Sequence, residues 1–266
     1  MDAEIKNRLD FAKILARDAG ELALSHFNNI GDLVIQSKGA QDMVSNADLE
    51  VETFVRDRIF ATFPDDGIVG EEHGNKDSQS GYTWVIDPID GTANFVSSIP
   101  AWCVILACVH DDKTKIAAIY EPCHDELYWG ALGDGAYLND SPMKVSGTKG
   151  LHDGSVGVGM NGRTATNHAV DVIKFLCDEG GIFYRNASGG LMLSYVAAGR
   201  LIGYIESHMN AWDCLAGQLL IAEAGGAIEQ QSADAMLKNG GRVVACAPIV
   251  FDKLKEMADI VFIPNN

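Results

Sequence analysis

WVIDPIDGTANF, residues 84–95, joins an apolar, strand-like run directly to two aspartates, Asp87 and Asp90. Pro88 prevents a helix from continuing and keeps Asp87 extended. Asp90 can then turn back toward the point that Asp87 faces. Two converging carboxylates repel each other unless they share a cation, and hard oxygen ligands of this kind suit Mg²⁺. The carbonyl of Ile89, which lies between the two aspartates, is a further candidate ligand.

The residues after Asp90 indicate an anion site beside this candidate metal site. Gly91 lets the backbone approach a ligand closely, and Thr92 is predicted to open a helical turn. The free N–H groups and the positive dipole end of such a turn favour an anion such as phosphate. The alternative interpretation is a simple β-turn with solvated aspartates, which are common in loops. Taken alone, the segment leaves both interpretations open.

The flanking segments predict an α+β first half. Residues 3–27 have apolar side chains at helical spacing, and a second amphipathic helix is predicted to begin near Asp48 and to end before Pro64. The runs YTWVID, WCVILACVH, KIAAIYEP and ELYWGALG predict a largely antiparallel sheet. GDGAYLND, residues 133–140, predicts a hairpin turn, whereas GVGMNG, residues 157–162, is a glycine run without a phosphate-loop lysine.

Beyond about residue 149, helix-like and strand-like segments alternate, which predicts α/β layers. The strand-like segments are GIFYR, LIGYIES and RVVACA, and the helix-like segments are NHAVDVIKFLCDE, LMLSYVAAG, CLAGQLLIAEAGG and a last helix from Ile249 to Ala258. No linker of low complexity separates the halves. We therefore expect two halves, residues 1–148 and 149–266, that form one compact unit.

The charge balance restricts the function. The chain has 37 acidic and 20 basic residues, a formal net charge of -17 and no run of Lys or Arg. Direct nucleic-acid binding is therefore not expected, because phosphate backbones are bound by clustered cations. A phosphorylated substrate would also be repelled unless metal ions lay between it and the protein. The six cysteines lack C-x-x-C spacing, and no apolar stretch suggests a signal peptide or a membrane span, so we expect a cytoplasmic protein with reduced, buried thiols and no membrane association.

Further carboxylates come from other segments. IVGEEHG contains Glu71 and Glu72 after a short strand-like run, and NAWDCLAG places Asp213 at a predicted helix N-terminus. Asp48 and Asp213 are both also suited to capping their helices, which is a structural alternative to a role in the site. The seven histidines form no H-E-x-x-H pattern, so zinc hydrolysis has no support.

With GEE, WVIDPIDGTANF and WDCLAG in this order, the chain resembles the inositol monophosphatase family of Mg²⁺-dependent, lithium-sensitive phosphatases over nearly its whole length. The resemblance implies a layered αβαβα sandwich of the inositol monophosphatase and fructose-1,6-bisphosphatase type. It also implies an active site between the two halves and, in most members, a homodimer.

The resemblance implies two or three Mg²⁺ ions per site. Its first metal would be bound by Glu71, Asp87 and the carbonyl of Ile89. Its second metal would be bound by Asp87, Asp90 and Asp213. A third, weaker ion would lie near Glu71.

The resemblance further implies direct attack of a metal-activated water on the phosphate, without a phosphoenzyme. Thr92 would accept the proton or orient the water, linked to Asp48 in the segment VSNAD, and Glu71 belongs to the same catalytic set. The backbone amides of Gly91 and Thr92 would hold the phosphate.

Expected substrate contacts lie mainly in the second half. Glu206, at the end of LIGYIES, matches the family's acidic residue that receives a sugar or inositol hydroxyl, and the alternative is a solvated edge glutamate. Ser188, Gly189 and Asp213 complete the expected substrate-binding set. Met192 stands where relatives often have an aspartate, so the preference for a polyol is open.

The ending DGTANF favours the inositol monophosphatase branch, so the expected substrate is a small phosphorylated polyol, with myo-inositol 1-phosphate first. Histidinol phosphate, fructose 1,6-bisphosphate and 3'-phosphoadenosine 5'-phosphate are the alternatives, because the pocket walls decide among them. A second class of function is a regulatory binding protein, since some relatives associate with the transcription machinery. The intact carboxylate set favours an enzyme.

Overall fold

The computed structural model describes residues 2–39, 42–162 and 165–262. In the first half, helices α1 (Ala3–Phe27) and α2 (Asn46–Thr62) form an outer layer, as their amphipathic patterns predicted. A two-stranded antiparallel pair, β1 (Ile35–Gly39) and β2 (Asp42–Ser45), leads into α2. The apolar stripes of α1 and α2 pack on a large sheet and form the first core.

That sheet has seven strands in sequence order. They are β3 (Gly67–Gly70), β4 (Thr83–Asp90), β5 (Cys103–His110), β6 (Lys113–Glu121), β7 (Glu126–Ala131), β8 (Ala136–Leu138) and β9 (Ser141–Pro142), and a short helix, α3 (Thr92–Val96), follows β4. Only β3 and β4 pair in parallel, so the predicted, largely antiparallel sheet is confirmed. The predicted hairpin at 133–140 is the turn between β7 and β8.

The central strands are apolar almost throughout because both faces of the sheet are covered. Along β5, Val104 and Leu106 face the layer of α1 and α2, whereas Ile105 and Ala107 face the second half of the chain. Alternate side chains of one strand thus belong to two different cores.

The second half contains a five-stranded sheet and its helices. Its elements in chain order are β10 (Ser155–Val158), α4 (Thr166–Asp178), β11 (Ile182–Tyr184), α5 (Gly189–Ala197), β12 (Gly203–Met209), α6 (Ala211–Glu223), β13 (Ala227–Ile228), α7 (Ala233–Asn239), β14 (Gly241–Cys246) and α8 (Phe251–Val261). The strand order is β11, β10, β12, β14, β13.

Helices α5 and α6 lie between the two sheets. Leu191 of α5 and Leu219 of α6 share one core with Ile105 of the large sheet and Val243 of the small sheet. Helices α4 and α8 cover the far face of the small sheet and enclose the third core. The layers therefore alternate as αβαβα, which confirms the expected architecture. The exact division at residues 148 and 149 stays a prediction.

The elements that were not predicted include the short strands β1, β2, β9 and β13, strand β10 and helix α7. Strand β10 lies at the start of the glycine run, and glycine is uncommon in strands. Here the absence of a side chain at Gly157 is required, because a Cβ atom there would lie 2.8 Å from the ring of Tyr204 on the neighbouring strand.

Two further expectations concern membrane spans and cysteines within residues 2–39, 42–162 and 165–262. Within them, no helix combines the length and the apolar character needed to cross a membrane. The six cysteines are free thiols. Cys177 is exposed, so the expectation of buried thiols was wrong for that residue.

Candidate active site

A bulge in β4 brings Asp87 and Asp90 to the same side of the sheet. Residues three apart on a regular strand point to opposite faces. In this sheet Asp87 pairs with Ile105 and Asp90 with Cys103, so three steps along β4 match two steps along β5. The extra residue reverses the alternation, as is usual at a β-bulge. The backbone N–H of Ile89 donates to Oδ1 of Asp87 at 3.0 Å and stabilises the turn.

Asp213, the third residue of α6, meets these two aspartates from the second half of the chain. Carboxylate oxygens of Asp87, Asp90 and Asp213 all lie within 4.8 Å of one another. Within residues 2–39, 42–162 and 165–262, neither Lys nor Arg forms an ion pair with any of the three. The predicted convergence of these three carboxylates is therefore confirmed.

The carboxylates of this cluster repel one another. Burial raises the pKa of Asp87 well above its usual range, and the charges of Glu71, Asp90 and Asp213 raise it further, in that order. Burial and the charge of Asp90 raise the pKa of Asp213 to about 7. A divalent cation would relieve this repulsion, and the donors are the hard oxygens that Mg²⁺ prefers. The residues therefore fit the metal that the sequence predicted.

The start of α5 holds Asp90 in place. Oδ2 of Asp90 accepts hydrogen bonds from the Ser188 hydroxyl at 2.5 Å and from the Gly190 N–H at 2.7 Å, and Oδ1 accepts one from the Gly189 N–H at 3.3 Å. A Cβ atom at Gly190 would lie 2.5 Å from Ile105 and 2.9 Å from Asp90, so only glycine fits. The free N–H groups of a helix start suit a carboxylate.

This contact gives Ser188 a role that was not predicted, as a hydrogen-bond donor to Asp90. Ser188 is fully buried and is the N-cap residue of α5, with its oxygen also accepting the N–H of Leu191. Its hydroxyl orients Asp90, and the predicted contact of Ser188 with the substrate stays a prediction. The sequence carries no local signal for this link, because Asp90 and Ser188 are 98 residues apart.

Thr92 and Asp48 lie together, as expected. The Thr92 hydroxyl is 3.2 Å from Oδ1 of Asp48 and 3.0 Å from the carbonyl oxygen of Ile89, so its single proton can be donated to either acceptor. Gly91, with φ of +98°, makes the turn from β4 into α3, where a side chain would be strained. The predicted helical turn at Thr92 is α3.

Asp48 is buried but is not the N-cap residue that the capping interpretation predicted. Ser45 is the N-cap of α2, and Oδ2 of Asp48 accepts hydrogen bonds from its N–H at 2.9 Å and from its hydroxyl at 2.6 Å. Burial raises the pKa of Asp48, although the hydrogen bonds from Ser45 and Thr92 oppose that shift. A carboxylate with a raised pKa is better matched to accepting a proton near neutral pH.

Glu206 lies beside this cluster and is only 6 % exposed, so the alternative of a solvated edge glutamate was wrong. The hydroxyl of Tyr204 and the amide of Asn161 donate to its two oxygens, the latter at 2.9 Å. Burial, followed by the charge of Asp213, raises the pKa of Glu206 to about 7. A Cβ atom at Gly159 would lie 2.2 Å from both Glu206 and Tyr204, which explains part of the glycine run that carried no prediction.

Glu71 directly follows β3 and is half-buried. After burial, the charge of Glu71 is the largest influence that raises the pKa of Asp87, although Glu71 is not among the three carboxylates that lie within 4.8 Å of one another. The loop that carries Glu71 contacts α2 through Glu52, a buried residue that the sequence analysis did not single out. The available signal was the four-residue spacing of Asp48 and Glu52, which places both on one side of α2.

Known proteins resemble this chain over nearly its whole length. Residues 4–258 match the family model described as "Inositol monophosphatase family". The chain is 35 % identical over 224 residues to the fructose-1,6-bisphosphatase/inositol-1-monophosphatase of Aquifex aeolicus, covering 84 % of this chain and 85 % of that protein. It is 32 % identical over 256 residues to the Nus factor SuhB of Escherichia coli, covering 94 % and 96 %.

Solved structures have the same fold. The extragenic suppressor protein SuhB of Bartonella henselae superimposes with a TM-score of 0.86 at 29 % sequence identity, covering 91 % of this chain and 95 % of that protein. Because the match covers 91 % of this chain, it extends over both halves. The chain belongs to the inositol monophosphatase family and is a phosphoric monoester hydrolase.

Proposed function

We propose that this phosphatase depends on Mg²⁺ and hydrolyses a small phosphorylated polyol, with myo-inositol 1-phosphate as its first substrate. The observation that carries the proposal is the cluster of Asp87, Asp90 and Asp213, which has no cationic partner in the described chain and has Glu206 beside it. The cluster needs a metal, and Glu206 can accept a hydroxyl of the alcohol.

In the proposed site, Glu71, Asp87 and the Ile89 carbonyl would hold one Mg²⁺ ion. Asp87, Asp90 and Asp213 would hold a second, and a third, weaker ion would lie near Glu71. When bound, Mg²⁺ supplies Lewis-acid activation of water and neutralises charge on the phosphoryl oxygens.

The remaining steps belong to the chain itself. Thr92 orients the attacking water with its hydroxyl, and Asp48 receives the proton through the contact of 3.2 Å between them. The backbone N–H groups of Gly91 and Thr92 hold the phosphate oxygens, supported by the left-handed turn at Gly91. Gly189, whose N–H donates to Oδ1 of Asp90, completes the proposed substrate site together with Ser188 and Asp213.

In this proposal, Glu206 binds hydroxyl groups of the alcohol part of the substrate. Tyr204 and Asn161 fix its carboxylate, so it can accept hydrogen bonds from hydroxyl groups without first losing side-chain freedom. An aryl phosphate has no such hydroxyl and would not use Glu206. This difference defines the expected preference for polyols.

The test is phosphate release with Mg²⁺ from a panel of myo-inositol 1-phosphate, histidinol phosphate, fructose 1,6-bisphosphate and 3'-phosphoadenosine 5'-phosphate. We expect the highest kcat/KM for myo-inositol 1-phosphate and loss of activity with EDTA. A higher value for another member would reassign the substrate while keeping the metal chemistry. Undiminished hydrolysis with EDTA would refute the metal dependence.

A regulatory binding function is the second candidate. Its support is the similarity to a Nus factor over 94 % of this chain. If no member of the panel is hydrolysed while calorimetry still shows Mg²⁺ binding, the weight moves to this function. The acidic net charge of -17 disfavours direct RNA contact, so the partner would be a protein.

We also propose three properties that follow from the family resemblance: a homodimer, a cytoplasmic location and inhibition by Li⁺. Light scattering of the purified protein measures the first. Phosphate release at rising Li⁺ concentration measures the last, and an unchanged rate at high millimolar Li⁺ would contradict it.

A further inference from the structure

Glu52 is a carboxylate in the first half of the chain to which the proposed chemistry assigns no role. It is fully buried on α2, where an unpaired charge would be costly. Its oxygens are instead surrounded by donors. The N–H of Glu72 donates to Oε2 at 2.7 Å, and the N–H of His73 and the guanidinium of Arg56 donate to Oε1 at 3.2 and 2.7 Å.

The two backbone donors belong to the residues directly after Glu71. Glu52 therefore binds the loop as it leaves β3, immediately beside the side chain that is proposed to hold a metal. Arg56, one turn further along α2, donates to the carbonyl of His73 at 3.2 Å. Both the N–H and the C=O of His73 are thus bound to α2.

The chain before Glu71 also fits against this carboxylate. A Cβ atom at Gly70 would lie 2.2 Å from Oε1 of Glu52 and 3.0 Å from Arg56. Gly70 is the last residue of β3, and its φ is not in the left-handed region. Close approach to Glu52, and not backbone conformation, therefore requires glycine at this position.

We propose that Glu52 is a positioning residue for Glu71, which sets the direction in which the Glu71 carboxylate enters the metal site. The inference rests on the proposed role of Glu71 as a metal ligand. Glu52 does not touch the substrate or the metal. It acts by holding the peptide groups on both sides of Glu72, so that Glu71 has its orientation before a metal binds.

In metal sites generally, residues that position a metal ligand without touching the metal influence how tightly the metal binds. Loss of such a residue lowers metal affinity or activity about 10- to 100-fold. Because α2 also carries Asp48, the same helix positions a metal ligand through Glu52 and the proton acceptor through its first turn. Glu52 thus links the geometry of two parts of the site.

The main test is E52Q, which keeps the side-chain volume but replaces one acceptor oxygen with a donor amide. We expect the Kd for Mg²⁺, measured by isothermal calorimetry, to rise about 10-fold or more. In the metal-free protein we also expect faster hydrogen exchange of the Glu72 and His73 amides. The exchange readout does not depend on activity or on bound metal.

G70A is a second variant, which displaces the Glu52 carboxylate without removing its charge. It should change Mg²⁺ affinity and amide exchange in the same direction as E52Q. The matched control is D66N. Asp66 is another buried carboxylate next to β3, but it binds Arg8, Trp84 and Ser80 away from the Glu71 loop. D66N should lower the Tm and leave the Kd for Mg²⁺ unchanged.

E71Q separates this inference from the proposed function. If E71Q weakens Mg²⁺ binding while E52Q and G70A leave the Kd within twofold of the wild type, the positioning role is refuted and the ligand role stands. An equal loss in D66N would also refute it, because a general loss of stability would then explain the effect. If E71Q itself leaves the Kd unchanged, the ligand assignment fails and the inference fails with it.

Discussion

Asp48 and Asp213 have the same position in two different helices. Each is the third residue of its helix, and each accepts a hydrogen bond from the backbone N–H of the N-cap residue, from Ser45 at 2.9 Å and from Asn210 at 3.0 Å. Both α2 and α6 therefore direct their N-terminal ends at the site, where the helix dipole partly offsets the carboxylate charge. Capping and a role in the site are not alternatives for these residues.

The contact between Thr92 and Asp48 predicts that the hydroxyl, and not the size of the side chain, matters at position 92. T92V should lower kcat about 100-fold or more, which is the usual range for loss of a proton-transfer group. T92S keeps the hydroxyl and should stay within about tenfold of the wild type. Steady-state kinetics with saturating Mg²⁺ measures both, and similar losses in the two variants would contradict the proton path.

The hydrogen bond from Ser188 to Asp90 predicts a specific loss of metal affinity in S188A. Both S188A and S232A remove a serine N-cap, at α5 and at α7, and each should cost about 1 kcal/mol of stability. Only S188A should also raise the Mg²⁺ concentration for half-maximal activity, because Ser232 lies away from the aspartates and bonds to Asp112. Equal Mg²⁺ dependence in the two variants would show that Ser188 does not orient Asp90.

The raised pKa values predict how the metal-free protein responds to pH. Burial raises the pKa of both Glu206 and Asp213 to about 7, so the folded chain binds protons more tightly than the unfolded chain between about pH 4 and pH 7. Stability should therefore be greatest at the acidic end of this window and should fall as the pH rises to about 7. Calorimetric Tm values at pH 5.5 and 7.5 with EDTA measure this fall.

D213N removes one of these raised groups and should reduce the fall in Tm between the two pH values. Saturating Mg²⁺ should stabilise the wild type at pH 7.5 more than D213N, because the metal replaces the protons as counter-charge. A fall of the same size in wild type and variant would mean that other groups cause it.

The proposed role of Glu206 predicts a difference between substrates. E206Q should raise KM for myo-inositol 1-phosphate about tenfold, since a charged acceptor for a hydroxyl is lost, with a smaller effect on an aryl phosphate. The two substrates serve as controls for each other. Equal changes in KM for both substrates would show that Glu206 does not bind the alcohol part of the substrate.

Much of the fold could be predicted from the sequence because its elements have clear periodic patterns. The helix from residue 3 to 27, the apolar strands β4 to β7 and the helices α4, α5 and α6 followed from those patterns. Strand β10 could not be predicted in this way. Its Gly157 fits against Tyr204, and Gly159 just after the strand fits against Glu206, so both glycines serve contacts with another part of the chain.

The residues of the site could also be predicted only in part. The carboxylates could be found because metal ligands have a recognisable chemistry, and their convergence followed from the motifs. The roles of the groups that orient them were not predicted. Ser188 acts on Asp90, which is 98 residues away, and Glu52 acts through the backbone N–H of Glu72 in another segment. Tyr204 donates to Glu206, two residues further along the same strand, but no sequence motif marks this contact. Ser188 was predicted as a substrate contact, which stays a prediction, whereas its hydrogen bond to Asp90 was not predicted.

The three aspartates come from both halves of the chain, Asp87 and Asp90 from β4 and Asp213 from α6. A cation bound there would neutralise carboxylates that come together only in the folded protein, in addition to its part in the reaction. Because it would bind the folded chain and not the unfolded one, it would favour the folded chain by mass action. Cellular magnesium would then govern how long each molecule survives proteolysis in addition to how fast it turns over. Depletion of the ion would reduce the amount of enzyme as well as its rate.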